Sequence, residues 1–106
     1  MAKYLAQFSY TREGIQGVLK EGGTKRREAT EALVKAMGGK LEAYYFSFGD
    51  FDGIAVFDGP DNMSAAAVSM IVNASGAVSV KTTVLLTPEE VDKAVKISVP
   101  YRPPGK

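Results

Sequence analysis

Two glycines and two aspartates between two strongly apolar runs constrain the fold of this chain more than any other feature. Residues 49–53 read Gly-Asp-Phe-Asp-Gly, with an aromatic run over 44–48 before them and an aliphatic run over 54–57 after them. Glycine tolerates positive φ and aspartate hydrogen-bonds its own backbone, so this segment favours a tight turn. The sequence therefore predicts a central β-hairpin, with strands over 40–48 and 53–57.

Capping residues and hydrophobic periodicity predict the elements before the hairpin. Residues 3–10 form an aromatic-rich, strand-like run that ends at Thr11, a good helix N-cap. A glycine-rich helix follows, and a second helical segment starts near Thr24. We therefore expect a kink or break around Gly22 and Gly23, where helix propensity is lowest. The apolar stripe of the second segment consists of Ala29, Leu33, Ala36 and Met37.

After the hairpin, the pattern predicts a helix, a long strand and a short terminal helix. The apolar face of the first of these helices consists of Met63, Ala67, Met70, Ile71 and Ala74. A strand over 77–86 leads to residues 87–90, Thr-Pro-Glu-Glu, which form a capping box with proline at the first helical position. The buried face of the last helix is expected at Val91, Ala94 and Val95. We divide the chain into a domain over 1–97 and an extended, proline-rich tail over 98–106.

This order of elements, βαββαβ with an extra C-terminal helix, is the ferredoxin-like α+β plan, with a four-stranded antiparallel sheet and two helices on one face. In the second strand, one face is predicted to carry Tyr44, Phe46 and Phe48, and the other Leu41, Ala43 and Tyr45. Neither face is polar, whereas a sheet that is wet on one side alternates apolar and polar residues. We therefore expect a homodimer or larger homo-oligomer in which two such sheets pack face to face.

Composition excludes several classes of function. The chain has 106 residues, enough for one domain with a real core, and it contains no cysteine and no histidine. The commonest metal ligands and the commonest general base are therefore missing, and we expect no metal and no organic cofactor. A net charge of +1 gives no reason to expect nucleic acid or a membrane surface as partner. The N-terminus lacks a signal-peptide layout, so we expect a cytoplasmic location.

The turn carries one candidate for proton transfer. Asp50 and Asp52 flank Phe51, and Asp52 is the candidate for a general base or polar anchor at the mouth of a pocket. The alternative is that both aspartates only cap the backbone of the turn.

An aromatic cluster and one lysine are the candidates for ligand binding. The aromatic members are Tyr4, Phe8, Tyr44, Tyr45, Phe46 and Phe48. They could line an apolar cavity in which a tyrosine donates a hydrogen bond, or they could simply form core and dimer interface. Lys81 lies in an otherwise apolar strand; it could bind an anion or act as a base, or it could extend to solvent or pair with Glu42.

A basic triplet completes the candidates. Lys25, Arg26 and Arg27 could hold an anion, but three adjacent residues spread around a helix, so we interpret them as a solvated face. The spacing of a phosphate-binding loop is absent.

The order of elements and several short segments resemble the GYD-domain family of the dimeric α/β-barrel superfamily. The resemblance extends over most of the chain, from Lys3 to about Val95. The matching residues are Thr11-Arg12-Glu13-Gly14-Ile15, Gly38-Gly39-Lys40-Leu41, Tyr45 through the turn, Asp58-Gly59-Pro60-Asp61, Gly76-Ala77-Val78, Lys81-Thr82-Thr83 and Thr87-Pro88-Glu89-Glu90. Phe51 stands where the family name implies tyrosine, so a role that needs this phenol is not expected here. The resemblance implies a ferredoxin-like fold and face-to-face dimers, without implying one biochemical function.

Three functions remain open at this point. The first is an oligomeric domain that binds a small apolar or aromatic ligand in a pocket between the sheet and a partner protomer. The second is a cofactor-free enzyme, similar to monooxygenases or isomerases of the superfamily, that acts on a small enolisable metabolite through Tyr45, Asp52 or Lys81. The third is a purely structural oligomer. A binder or enzyme should have a cavity into which Lys81 projects together with Tyr44 or Tyr45.

Overall fold

The central turn joins two strands, as the sequence predicts. The computed structural model describes residues 1–106, and in it the hairpin strands are β2 (Lys40–Phe46) and β3 (Gly53–Gly59). The backbone N–H of Ser47 donates to the carbonyl oxygen of Asp52 at 2.8 Å, and the Ser47 hydroxyl donates to the carbonyl of Phe51 at 2.8 Å. These bonds close the loop two residues before the predicted end of the first strand, so Phe48 lies outside the sheet.

Four antiparallel strands form one sheet in the order β2-β3-β1-β4, where β1 is Ala2–Tyr10 and β4 is Val78–Leu85. The helices are α1 (Arg12–Glu21), α2 (Gly23–Ala36), α3 (Asn62–Ala74) and α4 (Pro88–Ala94). This arrangement is the expected ferredoxin-like α+β fold with an added C-terminal helix. None of the four helices has the length and apolar character needed to cross a membrane.

The predicted break between the first two helices is confirmed, and a glycine produces it. Gly22 has φ 86°, a left-handed conformation that side chains rarely adopt. Its N–H closes α1 by donating to the carbonyl of Val18 at 2.7 Å. Gly22 is also the N-cap of α2, which begins at Gly23. This cap lies two residues before Thr24, near which the sequence predicts the start of the second helix.

The core lies between the sheet and helices α2 and α3. Its buried members are Tyr4, Ala6, Phe8, Val34, Ala55, Phe57 and Ala65. Tyr4 and Phe57 stack with their ring centroids 5.3 Å apart, and the Tyr4 hydroxyl donates to Asn62 Oδ1 at 2.7 Å. This hydrogen bond ties the first turn of α3 to the sheet.

The opposite side of the sheet is not covered by a helix. We call it the open face, and its central residues are Leu5, Gln7, Ile54, Val56, Lys81 and Thr83. All three of its central aliphatic side chains are half-buried among their neighbours on the sheet. The other three central residues, Gln7, Lys81 and Thr83, are polar, so the open face is mixed in character, and a covering partner remains a prediction.

The predicted orientation of Leu41 is wrong because of a β-bulge in β2. The pairing of β2 with β3 shifts between Leu41 and Ala43, which leaves Glu42 as an extra residue. Leu41 consequently packs against the core together with Tyr44, rather than on the side of Ala43.

Two predicted helix faces are wrong. The predicted face of α3 points to solvent, since Met63 is 80% and Met70 is 71% exposed. The inward face of α3 contains Ala65 and Val68 instead. The last helix has the predicted capping box but no buried residue, and Val95 is 74% exposed.

Candidate functional site

A partly open cavity of about 120 Å³ lies between the sheet and helices α2 and α3. The sheet contributes its floor, whose residues are Ala6, Phe8, Tyr10, Tyr44, Ala55, Phe57, Val78, Val80 and Thr82. The helices contribute its roof, whose residues are Arg26, Ala29, Thr30, Leu33, Val34, Ala65, Val68, Ser69 and Val72. The lining is therefore mostly aliphatic and aromatic, with a few polar groups, which is typical of small-molecule sites.

Aromatic rings form one wall of this cavity. The rings of Phe8 and Tyr44 stack with centroids 5.3 Å apart and planes 23° apart. Tyr10 meets Phe8 edge to face at 5.6 Å. Phe46 does not line the cavity but packs edge to face against Tyr44, with its ring 5.4 Å from that of Tyr44. The wall is pre-formed, because these rings hold one another in offset and edge-to-face contact.

The polar groups of the cavity come from neighbouring positions on β1, β2 and α2. The hydroxyl oxygens of Tyr10 and Tyr44 are 3.4 Å apart, too long for a strong hydrogen bond. Thr30 donates its hydroxyl to the backbone carbonyl of Arg26 at 3.0 Å. The Nε atom of Arg26 is buried and has no hydrogen-bond partner. The site therefore combines an apolar volume with one unpartnered cation.

Burial raises the pKa of the Tyr44 phenol well above its ordinary value, and the contact with the Tyr10 hydroxyl adds to this effect. Nearby Thr30 and Arg26 oppose the shift but do not outweigh it. The Tyr44 hydroxyl consequently keeps its proton at physiological pH. It can donate a hydrogen bond to a ligand, but it is not a base.

The cavity adjoins a surface groove between α1 and α3. Tyr10, Arg26, Val72 and Val78 line both spaces, so these four residues lie at the boundary between them. The groove also contains Glu13, Glu21 and Ser75. Arg26 therefore contacts both the cavity and the groove.

The cavity differs in place from the expected pocket. We expected a pocket between the sheet and a partner, whereas the chain itself forms a cavity on the helix side. Tyr44 lines it, but Tyr45 and Lys81 lie on the open face, because Tyr45 pairs with Ile54 and Lys81 pairs with Gln7. Lys81 and Tyr44 therefore do not project together.

Lys81 and Tyr45 share the open face but are separated by two strands. Both side chains are exposed. The possible partner Glu42 is bonded to Lys3, which also contacts Asp58 at 2.9 Å. Hydrogen bonds to these two carboxylates, Glu42 first, raise the pKa of the Lys3 ammonium.

The other predicted site residues, Asp52, Tyr4, Phe46 and Phe48, do not line the cavity. Asp52 accepts a hydrogen bond from the backbone N–H of Tyr10 at 2.7 Å, so its carboxylate fixes the end of β1. Tyr4 is buried beside the cavity without lining it. Phe46 is 43% exposed at the wall, and Phe48 is fully exposed.

Arg26 is the functional candidate that sequence reasoning placed wrongly. Lys25 and Arg27 are exposed, as a solvated face requires, but Arg26 is half-buried against the cavity. A helical stripe at i, i+4 and i+7 through Arg26, Thr30 and Leu33 would have indicated this inward position.

The fold and the cavity define a ferredoxin-like α+β domain with a small internal site. The chain belongs to the GYD domain family, whose model matches residues 4–95. Neither the curated proteins nor the solved structures contain a match to the chain.

Proposed function

We propose that this protein is a cytoplasmic, homo-oligomeric binding domain that takes one small, mostly apolar or aromatic molecule into the helix-side cavity. The cavity itself is the observation that carries this proposal. An apolar cavity of about 150 Å³ is enough to bind benzene, so a volume of this order suits a ligand of about one ring. The stacked pair of Phe8 and Tyr44 offers that ring an aromatic surface.

The polar groups favour binding over proton transfer. Tyr44 retains its proton, and the carboxylate of Asp52 is engaged by the backbone of Tyr10. The other candidates for a catalytic role, Tyr45 and Lys81, are on the far side of the sheet. A base of suitable pKa is therefore not placed at the cavity, whereas hydrogen-bond donors are.

The open face supports the oligomeric part of the proposal. Leu5, Ile54 and Val56 form adjacent aliphatic positions across β1 and β3. A second copy of the sheet would remove them from water and gain about 25 cal/mol for each Å² of apolar surface buried. This interface and the cavity are on opposite faces, so ligand binding does not require the partner to contribute residues.

A cavity-filling variant tests the binding function. Ala65 lines the cavity and is 4% exposed, whereas Ala67 is exposed on the same helix. Calorimetric titration with toluene should show saturable binding to the native protein and to Ala67→Leu. Ala65→Leu should lose this binding because its added atoms occupy the volume. Equal binding by both variants, or no binding to the native protein, would contradict the proposal.

A further inference from the structure

The cavity contains one charged side chain and no acidic one. Of the residues that line it, Arg26 alone carries a charge, and neither aspartate nor glutamate is among them. Its Nε atom is buried without a hydrogen-bond partner. A buried donor of a charged group that lacks a partner is costly, and folded proteins nearly always provide one.

The chain does not neutralise this guanidinium. Both ion pairs of the protein are made by Lys3, on the other side of the sheet. Glu13 and Glu21 lie in the adjoining groove, but neither is within ion-pair distance of Arg26. Arg26, which lines both the groove and the cavity, therefore brings an unpaired positive charge to the site.

We propose that the ligand is a small monocarboxylate whose apolar body, about one ring in size, fills the cavity while its carboxylate pairs with Arg26. The inference rests on the proposed binding function and specifies its ligand class. Guanidinium groups match carboxylates in geometry, and the resulting hydrogen bonds are charge-assisted. A monoanion suits one unpaired cation, whereas a phosphate would bring a second charge into an apolar site.

The Tyr44 hydroxyl group is placed to complete the anion site. Tyr44 acts as a donor because burial keeps its phenol protonated, and its bond to Tyr10 is long enough to exchange for one to a ligand. Arg26 is near enough to Tyr44 to influence its pKa. One carboxylate oxygen can then accept from the guanidinium and the other from the phenol.

Benzoate and benzamide provide a matched pair of probes, since they share ring and shape and differ in charge. Calorimetric titration of the native protein should give a benzoate affinity about ten- to a hundredfold higher than that of benzamide, the range expected for a hydrogen bond to a charged group. Arg26→Met should remove this preference and retain benzamide binding. Arg27→Met, at the exposed neighbouring arginine, should behave as the native protein does.

The outcomes separate the two proposals. Equal affinities of benzoate and benzamide for the native protein would overturn the carboxylate inference and leave the binding function intact. A benzoate preference that survives in Arg26→Met would also overturn it. Binding of neither probe would contradict the binding function itself. If Arg26→Met does not fold, the comparison of benzoate with benzamide on the native protein still tests the carboxylate inference.

Discussion

Phe8 and Phe46 lie on the two strands that flank Gly53, and their rings meet edge to face across it with centroids 6.3 Å apart. The contact exists because β3 has no side chain at this position. A Cβ atom there would overlap with the Phe8 ring. Gly53 therefore permits the aromatic wall that bounds the cavity.

Gly53→Ala is expected to destabilise the protein by about 1–3 kcal/mol, the usual cost of overpacking a core. Gly49→Ala, in the same turn, is the control, because a Cβ at Gly49 meets no atom within 4 Å. Urea unfolding of both variants measures the difference. A Gly53→Ala variant as stable as Gly49→Ala would show that the rings move apart without cost.

A second glycine pair tests how closely α1 packs on the sheet. A Cβ at Gly14 would overlap with the backbone carbonyl of Ala77, which cannot move aside as a side chain can. Gly14→Ala should therefore cost about 1–3 kcal/mol. Gly17, in the same helix, has nothing within 4 Å, so Gly17→Ala should stabilise by about 0.5–1 kcal/mol. Thermal unfolding that moves in the same direction for both variants would contradict this packing.

The N-cap of α3 predicts a pH-dependent contribution to stability. Asp61 accepts a hydrogen bond from the backbone N–H of Ser64 at 2.8 Å, which lowers the pKa of this carboxyl below its ordinary value of 3.8. A group whose pKa is lowered by folding stabilises the protein above its unfolded pKa and loses that effect as pH falls through its folded pKa.

Asp61→Asn keeps a capping side chain but removes the charge. The native protein should therefore be more stable than the variant at about pH 7, and the difference should be smaller at about pH 2, because it is lost as the pH falls toward and through the lowered pKa of Asp61. Urea midpoints at the two values measure this. A difference that stays constant between them would exclude the carboxylate charge as its source.

The proposed homo-oligomer leads to a separate prediction. Val56→Lys places a charge in the middle of the open face, where a sheet-to-sheet interface would bury it, so the variant should sediment as a monomer. Met63→Lys adds the same charge on the exposed side of α3 and should leave a native dimer intact. A native protein that sediments as a monomer at micromolar concentration would refute the interface.

Local signals in the sequence were sufficient for most of the fold. The turn at 49–53, the break at Gly22 and the capping box of Thr87 and Glu90 each depend on neighbouring residues, and each is found where the sequence predicts it. The family resemblance is likewise confirmed over 4–95.

The errors concern which side of an element faces inward. The helix α3 is rich in apolar residues all round, so periodicity could not distinguish the stripe of Met63 and Met70 from that of Ala65 and Val68. A bulge reverses the facing of a strand residue without a clear local signal, as Leu41 shows. These positions are decided by tertiary packing, in which the sheet selects the smaller side chains of α3.

The candidate site was harder to predict than the fold. Aromatic content indicated Tyr44, but alternation along the strand placed Tyr45 on the other face, away from the cavity. Arg26 appeared as one member of a charged run, and its burial depends on how α2 is rotated against the sheet. That rotation follows from the complete core, so a charged run alone does not reveal it.

Binding in the helix-side cavity is tested most directly by locating a bound aromatic molecule through intermolecular nuclear Overhauser effects. Toluene protons should show contacts to the methyl groups of Val72, Val78 and Val80, which line the helix-side cavity. Contacts to Ile54 and Val56 on the open face instead, or no contact at saturating toluene, would contradict binding in the helix-side cavity.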